Sequence, residues 1–256
     1  MEYERIQYAA GGGVAVITLN RPEKRNALDD RTVAELKEAF GRAGGDESMR
    51  AVLLTSAGAD FCSGADLSAL QKIAQASVLE NRDDARSMMD LFVAMRRLAK
   101  PIVAAVRGRA FAGGCGLATA CDIVLAARSA QFGYPEVRIG FIPAMVMAIL
   151  RRSVTEKRAF ELIALGEPIS AERAAEIGLI TRVLDDDGFE EAVREYLRNL
   201  VSASPSAVAL TKYLLYHIDG LNFEAAIAAG ADLNAIARMT DDCRAGIARF
   251  LDKKPK

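Results

Sequence analysis

Residues 101–127 read PIVAAVRGRAFAGGCGLATACDIVLAA, and the order of features within them decides the fold. Ile102–Val106 is a continuous apolar run with no polar alternation, the pattern of a strand covered on both faces. A turn follows at Arg107-Gly108-Arg109. Ala112-Gly113-Gly114 then opens a short helix of small residues, Cys115 to Cys121, and a second apolar strand spans Ile123–Ala126. Free N–H groups at a helix start attract negative charge, and glycine there lets a ligand approach the backbone closely. Such a stretch can form half of an oxyanion hole. Taken alone, it equally fits a close-packed strand-to-helix turn.

Working outward, a second stretch has the same construction. Ala51–Thr55 is an apolar strand, followed by the small-residue loop SAGADFCSGADL (56–67) and a helix. Two such loops can aim two backbone N–H groups at one carbonyl oxygen, which stabilises an enolate or a tetrahedral anion. Further upstream, residues 4–9 and Val14–Leu19 read as strands joined through Gly11-Gly12-Gly13 as a hairpin. Thr32 to Ala43 has helical spacing, with Val33, Leu36, Ala39 and Phe40 on one face. Alternating strand and helix implies an α/β fold with a mostly parallel sheet.

From about Ser153 the balance changes. Residues 156–164, 171–177, 189–201, 206–217, 223–237 and 241–250 read as successive helices, with one strand-like run at Ile180–Val183. The helical tail must bury its apolar faces on the N-terminal core, on a neighbouring subunit, or on both.

Composition narrows the function classes. Of 256 residues, 51% are apolar and 26% charged, as in soluble globular chains, and the net charge of -1 supplies no field for nucleic acid. Cys62, Cys115, Cys121 and Cys243 form neither a CxxC pair nor a metal-ligand spacing, so no metal is expected and the reading is a reduced, cytoplasmic protein. Met1 to Ala10 lacks the apolar core of a signal peptide, and no apolar run reaches the roughly 18 residues of a membrane span.

Four stretches together, RPEKRNAL (21–28), FCSGADL (61–67), KPIVAAVRGRAFAGGCGLATACDIVLAA (100–127) and FGYPEVRIGFIP (132–143), resemble the crotonase superfamily, the enoyl-CoA hydratase/isomerase family. Their order and spacing fit, and so does the tail RAGIARFLDKKP (244–255). The resemblance implies a ββα spiral core, residues 1–195, and a helical oligomerisation region, residues 196–256, that builds a trimer or a dimer of trimers. It implies an acyl-CoA substrate and no separate cofactor. The thioester oxygen would lie between the amides of Ala65 and Gly113. Lys24, Arg25, Ala27, Leu28, Ala65, Asp66, Leu67, Gly114, Phe250 and Lys253 match positions that contact coenzyme A. Lys24, Arg25, Lys253 and Lys254 could meet its phosphates.

Hydratases of the family use two glutamates. The second matches Glu136, held by Pro135 and followed by the apolar Val137, Ile139, Phe141 and Ile142, a setting that raises a carboxyl pKa. The first matches Gly116, which carries no proton. The run usually rich in glycine after the PE motif is here Ile142-Pro143-Ala144-Met145-Val146-Met147, and the turn usually reading Asn-Gly is Arg107-Gly108. One carboxylate suffices to move a double bond, as in the family's Δ3,Δ2-enoyl-CoA isomerases, while hydration through Glu136 and a backbone-held water stays open. Decarboxylation or another enolate reaction would use the same oxyanion hole with cations in place of the base. A non-catalytic, RNA-binding role disagrees with the charge balance. His217, the only histidine, lies outside every motif and reads as a surface or interface residue. Asp122 reads as structural and Asp66 as a helix cap. Met88, Met89, Leu91, Phe92 and Met95 offer either an apolar pocket wall or ordinary core packing.

Overall fold

The computed structural model describes residues 3–252, so Lys253 and Lys254 lie outside the described residues. Strands β1 (Ile6–Gly11) and β2 (Val14–Leu19) form the expected hairpin. Gly12 and Gly13, at φ 60° and 80°, make its two-residue turn, a conformation that glycine takes without steric cost. Helix α1 (Asp30–Gly45) begins where the Asp29 side chain accepts the Thr32 amide, and it buries Val33, Leu36, Ala39 and Phe40 as the spacing predicts. Then come β3 (Ala51–Ser56), α2 (Leu67–Gln75), α3 (Val78–Arg97), β4 (Ile102–Val106) and β5 (Arg109–Phe111). They lead into α4 (Gly113–Thr119), β6 (Ile123–Ala127), β7 (Gln131–Gly133), α5 (Ala144–Ser153), α6 (Glu156–Leu165), β8 (Ile169–Ser170), α7 (Ala171–Glu176) and β9 (Arg182–Leu184). Four helices close the described chain: α8 (Phe189–Val201), α9 (Pro205–His217), α10 (Phe223–Arg238) and α11 (Asp241–Leu251).

The main sheet runs β1-β2-β3-β4-β6-β9, parallel except for the hairpin, and a small sheet runs β5-β7-β8. Successive turns of chain give one strand to each sheet: β4 then β5, β6 then β7, β8 then β9. This is the α/β spiral that the resemblance implies. The apolar reading of β4 explains itself in the packing. Ile102, Ala104 and Val106 join the central core, while Val103 and Ala105 face a second core with Phe189, Val193 and Leu197 of α8. A strand covered on both faces needs no polar alternation.

Two boundaries bear on the expectation. Residue 195, where the core was expected to end, falls inside α8, a helix that packs on the sheet. Helix α4 starts at Gly113, two residues before the predicted Cys115, because the glycines themselves enter the helix. The three strands of the small sheet, two or three residues each, are too short for periodicity to reveal.

Helices α9 to α11 expose Leu215, Phe223, Ile227, Ile236, Ile247 and Phe250, each more than half accessible. His217 is exposed at the end of α9 and stacks on Tyr213. A buried polar knot ties α9 to the core. Lys212 Nζ donates to Met95 O, Lys100 O and Asp122 Oδ2, and the Tyr216 hydroxyl donates to Asp122 Oδ1. Asp122 also accepts the Ile102 amide, which makes it a structural residue, as read from its place before a strand. Lys212→Met should cost about 3–5 kcal/mol in denaturant unfolding, because Asp122 would lose the cation that offsets its burial. No helix among the described residues is long and apolar enough to cross a membrane.

Candidate active site

Four segments distant in sequence are laced together by main-chain hydrogen bonds. Ser63 N donates to Arg25 O (3.1 Å), Leu28 N to Gly64 O (2.7 Å) and Asp66 N to Leu28 O (2.9 Å), so residues 25–28 run beside residues 63–66. On the other side, Cys62 N donates to Arg109 O (3.0 Å) and Phe111 N to Cys62 O (2.9 Å). Ala112 N donates to Gly133 O (2.9 Å), which brings Tyr134-Pro135-Glu136 alongside. The four motifs that carry the resemblance thus form one contiguous frame.

Side chains brace it. Arg21 is buried and donates to Ala27 O and to Asp66 Oδ2, 2.8 Å each. Asn26 Nδ2 bonds the carbonyls of Ala57 (2.8 Å) and Asp60 (2.9 Å), and Asp60 receives two guanidinium N–H groups of Arg109. Arg21 stands in a quoted motif, yet sequence reasoning gave it no role, and none of it foresaw this bracing by Arg21 and Asn26; the partners Asp66, Ala57 and Asp60 lie 31 to 45 positions away. Among the described residues, the non-glycine positions with left-handed φ are Arg25 (52°), Asn26 (54°) and Ala112 (53°), all within this frame. Backbone strain of this kind persists only where the surroundings over-determine it, which is characteristic of functional sites.

The frame borders a cavity of about 670 Å³, lined largely by apolar side chains. Leu28, Ala65, Gly113 and Glu136 all line it. The amides of Ala65 and Gly113 donate to no group among the described residues. The two loops touch: a methyl built on Gly64, at φ 97°, would stand 2.7 Å from Ala112 Cβ and 3.5 Å from Gly113 N. Two free N–H groups on adjoining backbones suit an oxygen that gains negative charge.

Glu136 sits on a 3-10 turn, Pro135–Ile139, whose entry is anchored by the buried Tyr134, with its hydroxyl 3.3 Å from Thr119 Oγ1. Burial raises its carboxyl above the ordinary carboxylate range, opposed only by its own backbone amide. Its Oε2 is buried with no hydrogen-bond partner. Glu136 forms no ion pair among the described residues, with its neighbour Arg138 or with any other cation. Of the other carboxylates on the cavity wall, Asp29 is held by Thr32 and Arg21 and Asp30 by Lys72, while Asp84, raised by burial and by the neighbouring Asp30 charge, forms no ion pair among the described residues.

The place of the family's first glutamate is filled. A Cβ on Gly116 would lie 2.4 Å from Val146 Cγ2, and it is Val146, not Gly116, that lines the cavity. The helix α5 that carries Val146 begins at Ala144, in the stretch where glycines were missing from the pattern.

The remaining candidates divide. Lys24 and Arg25 are exposed beside the frame and form no ion pair among the described residues, which leaves both cations free for a phosphate. Ala27 is buried, and Leu67 is exposed at the start of α2. Asp66 caps α2 through Ser68 N and holds Arg21, so its carboxylate serves the frame. Gly114 is there for closeness: a methyl on it would meet Cys62 O at 2.4 Å. Phe250, on α11, is exposed and does not line the cavity. Of the five α3 residues offered as a pocket wall, Met88 and Phe92 line the cavity, Leu91 and Met95 are core, and Met89 is exposed. Both readings of that stretch hold, on different faces of one helix.

A model of the enoyl-CoA hydratase/isomerase family matches residues 9–256. The chain is 32% identical to a short-chain-enoyl-CoA hydratase of Clostridium acetobutylicum, over 99% of this chain and 97% of that one. It is 32% identical to the 1,2-epoxyphenylacetyl-CoA isomerase of Escherichia coli, over 94% and 93%. The crystal structure of an enoyl-CoA hydratase from Mycobacterium smegmatis superposes with a TM-score of 0.93 at 33% identity, covering 99% of this chain and 98% of that one. With the spiral core, the laced frame and a family match that spans nearly the full length, the chain belongs to the enoyl-CoA hydratase/isomerase family.

Proposed function

We propose that this protein moves the double bond of an enoyl-CoA thioester, with Glu136 as the sole acid and base. The observation that carries the reading is the conjunction of a buried, unpartnered Glu136 oxygen with two free amides on the wall of one cavity. On a 3-enoyl thioester, the C2–H bond breaks and its proton passes to Glu136. The electron pair delocalises onto the thioester oxygen, held by Ala65 and Gly113. The protonated Glu136 then gives its proton to C4, the double bond forms between C2 and C3, and the carboxylate is restored. A single carboxyl group closes this cycle. Lys24 and Arg25 are available to the phosphates of coenzyme A, and the steps call for no further cofactor.

Hydration is the second reading, favoured by the name of the Clostridium relative. Glu136 would deprotonate a water that adds to C3 and then return the proton to C2. Incubating the protein with 3-enoyl-CoA and with 2-enoyl-CoA, and identifying the products, tests the proposal. Conversion of the 3-enoyl to the 2-enoyl ester supports it. Rapid accumulation of 3-hydroxyacyl-CoA from the 2-enoyl ester overturns it in favour of hydration.

The pH dependence has a definite sign. A base must be ionised, and burial raises the pKa of Glu136. The acid limb of kcat/KM should therefore fall at a pH above that of an ordinary glutamate, with activity lost as pH drops through the raised value. A limb in the usual carboxylate range would show that the base is solvated. The exposed apolar side chains of α9 to α11 support assembly of several copies.

A further inference from the structure

We infer that Val146 is a specificity-determining residue, which keeps the cavity dry beside Gly116 so that the proton held by Glu136 returns to carbon instead of serving a water. The inference rests on Glu136 as sole proton carrier, the reading proposed above.

Three observations support it. Gly116 is on α4, which the frame fixes from its first residue, and a Cβ there would overlap Val146 Cγ2 at 2.4 Å. Real Cβ atoms do not approach so closely, so with Val146 in place position 116 can present no side chain at all. Val146 itself is nearly fully buried yet forms part of the cavity wall, so it stands between Gly116 and the acyl group. Its neighbours on that wall, Ile142, Pro143, Ala144 and Met145, bring no polar side chain. An ordered water needs two to four polar partners. On this side of the cavity it would meet methyl groups. Addition of water to C3 requires that molecule to be held in line with the double bond, whereas proton return from Glu136 to carbon requires nothing there.

The two reactions diverge at one point. In both, an enolate forms on the thioester oxygen. For isomerisation, electrons come from the C2–H bond and the same proton ends on C4. For hydration, the water oxygen bonds to C3 as Glu136 takes a water proton, the π electrons move to the thioester oxygen, and Glu136 returns that proton to C2. Val146 acts on the second path alone, by occupying the place of its co-reactant.

Val146→Ser makes room and supplies a hydroxyl to hold a water; Val146→Ala makes room only. Wild type and both variants are incubated with 2-enoyl-CoA and 3-enoyl-CoA. Products are separated by chromatography, and thermal unfolding confirms that each variant is folded. The expected result is a rise of about tenfold or more in the ratio of hydration to isomerisation for Val146→Ser. Val146→Ala moves the ratio in the same direction and less far, and it decides the matter if the serine variant does not fold. An unchanged ratio with conversion of the 3-enoyl ester intact overturns the role of Val146 while leaving Glu136 as the base. A wild-type protein that does not convert the 3-enoyl ester to the 2-enoyl ester overturns both.

Discussion

Glu136→Gln should lower kcat for double-bond migration by about 10⁴-fold, with KM nearly unchanged, because the amide keeps the volume and loses the proton. The size follows from the arrangement. Position 116 is blocked by Val146; Asp29 and Asp30 are held by Arg21 and Lys72; and Asp84 lies on α3, outside the laced frame that carries the two amides. The same variant should unfold at a higher temperature near neutral pH. The sign follows from linkage: burial raises the folded-state pKa, so the ionised form is favoured less in the folded chain than in the unfolded one. Above that pKa the charge therefore weighs against folding, and glutamine removes it. Loss of activity together with gained stability is the signature of a side chain kept for chemistry. Were the reaction a decarboxylation assisted by cations, the amide variant would retain activity, and the steady-state rate alone would show it.

Gly64→Ala should cost about 10²-fold in kcat, within the range for loss of one oxyanion donor. The added methyl would stand 2.7 Å from Ala112 Cβ and 3.2 Å from Phe111 O, at a φ of 97° that alanine disfavours. Relief requires the two loops to part, which separates the amides of Ala65 and Gly113. A stability loss of about 1–3 kcal/mol should accompany it. Gly188→Ala is the control: it has φ 76° and open space around its Cα, at the start of α8. That variant should show the strain without the kinetic loss. Equal kcat for the two variants would mean that the gap between the loops does not matter to the reaction.

Both predictions use glycines and carboxylates that the sequence already marked. The glycine-rich entries to α2 and α4 announced close backbone approach, and the apolar runs of β3, β4 and β6 announced a sheet covered on both faces. Helices α8 to α11 came out within a residue, because periodicity accumulates with length, whereas α1 runs two residues further at each end than its spacing showed. What stayed hidden depends on three-dimensional neighbours. The small sheet is built of strands shorter than one period can reveal. Helix α3 shows a face by its spacing, but not that Met88 and Phe92 face a cavity while Leu91 and Met95 face the core. The replacement of glycines at 144–147 was visible as a departure. Its meaning needed the distance between Gly116 and Val146, two residues thirty positions apart.

The lacing of residues 25–28, 62–66, 109–112 and 133 runs through peptide groups. Point mutations exchange side chains and leave peptide groups where they are. An anion receptor made of backbone is therefore inherited almost unchanged by descendants, whatever codons drift around it. New reactions can arise by relocating a proton carrier or admitting a water, at positions such as 116, 136 and 146, while the receptor endures. Diversity of chemistry on one scaffold is then the ordinary outcome of descent, and the receptor is the heirloom.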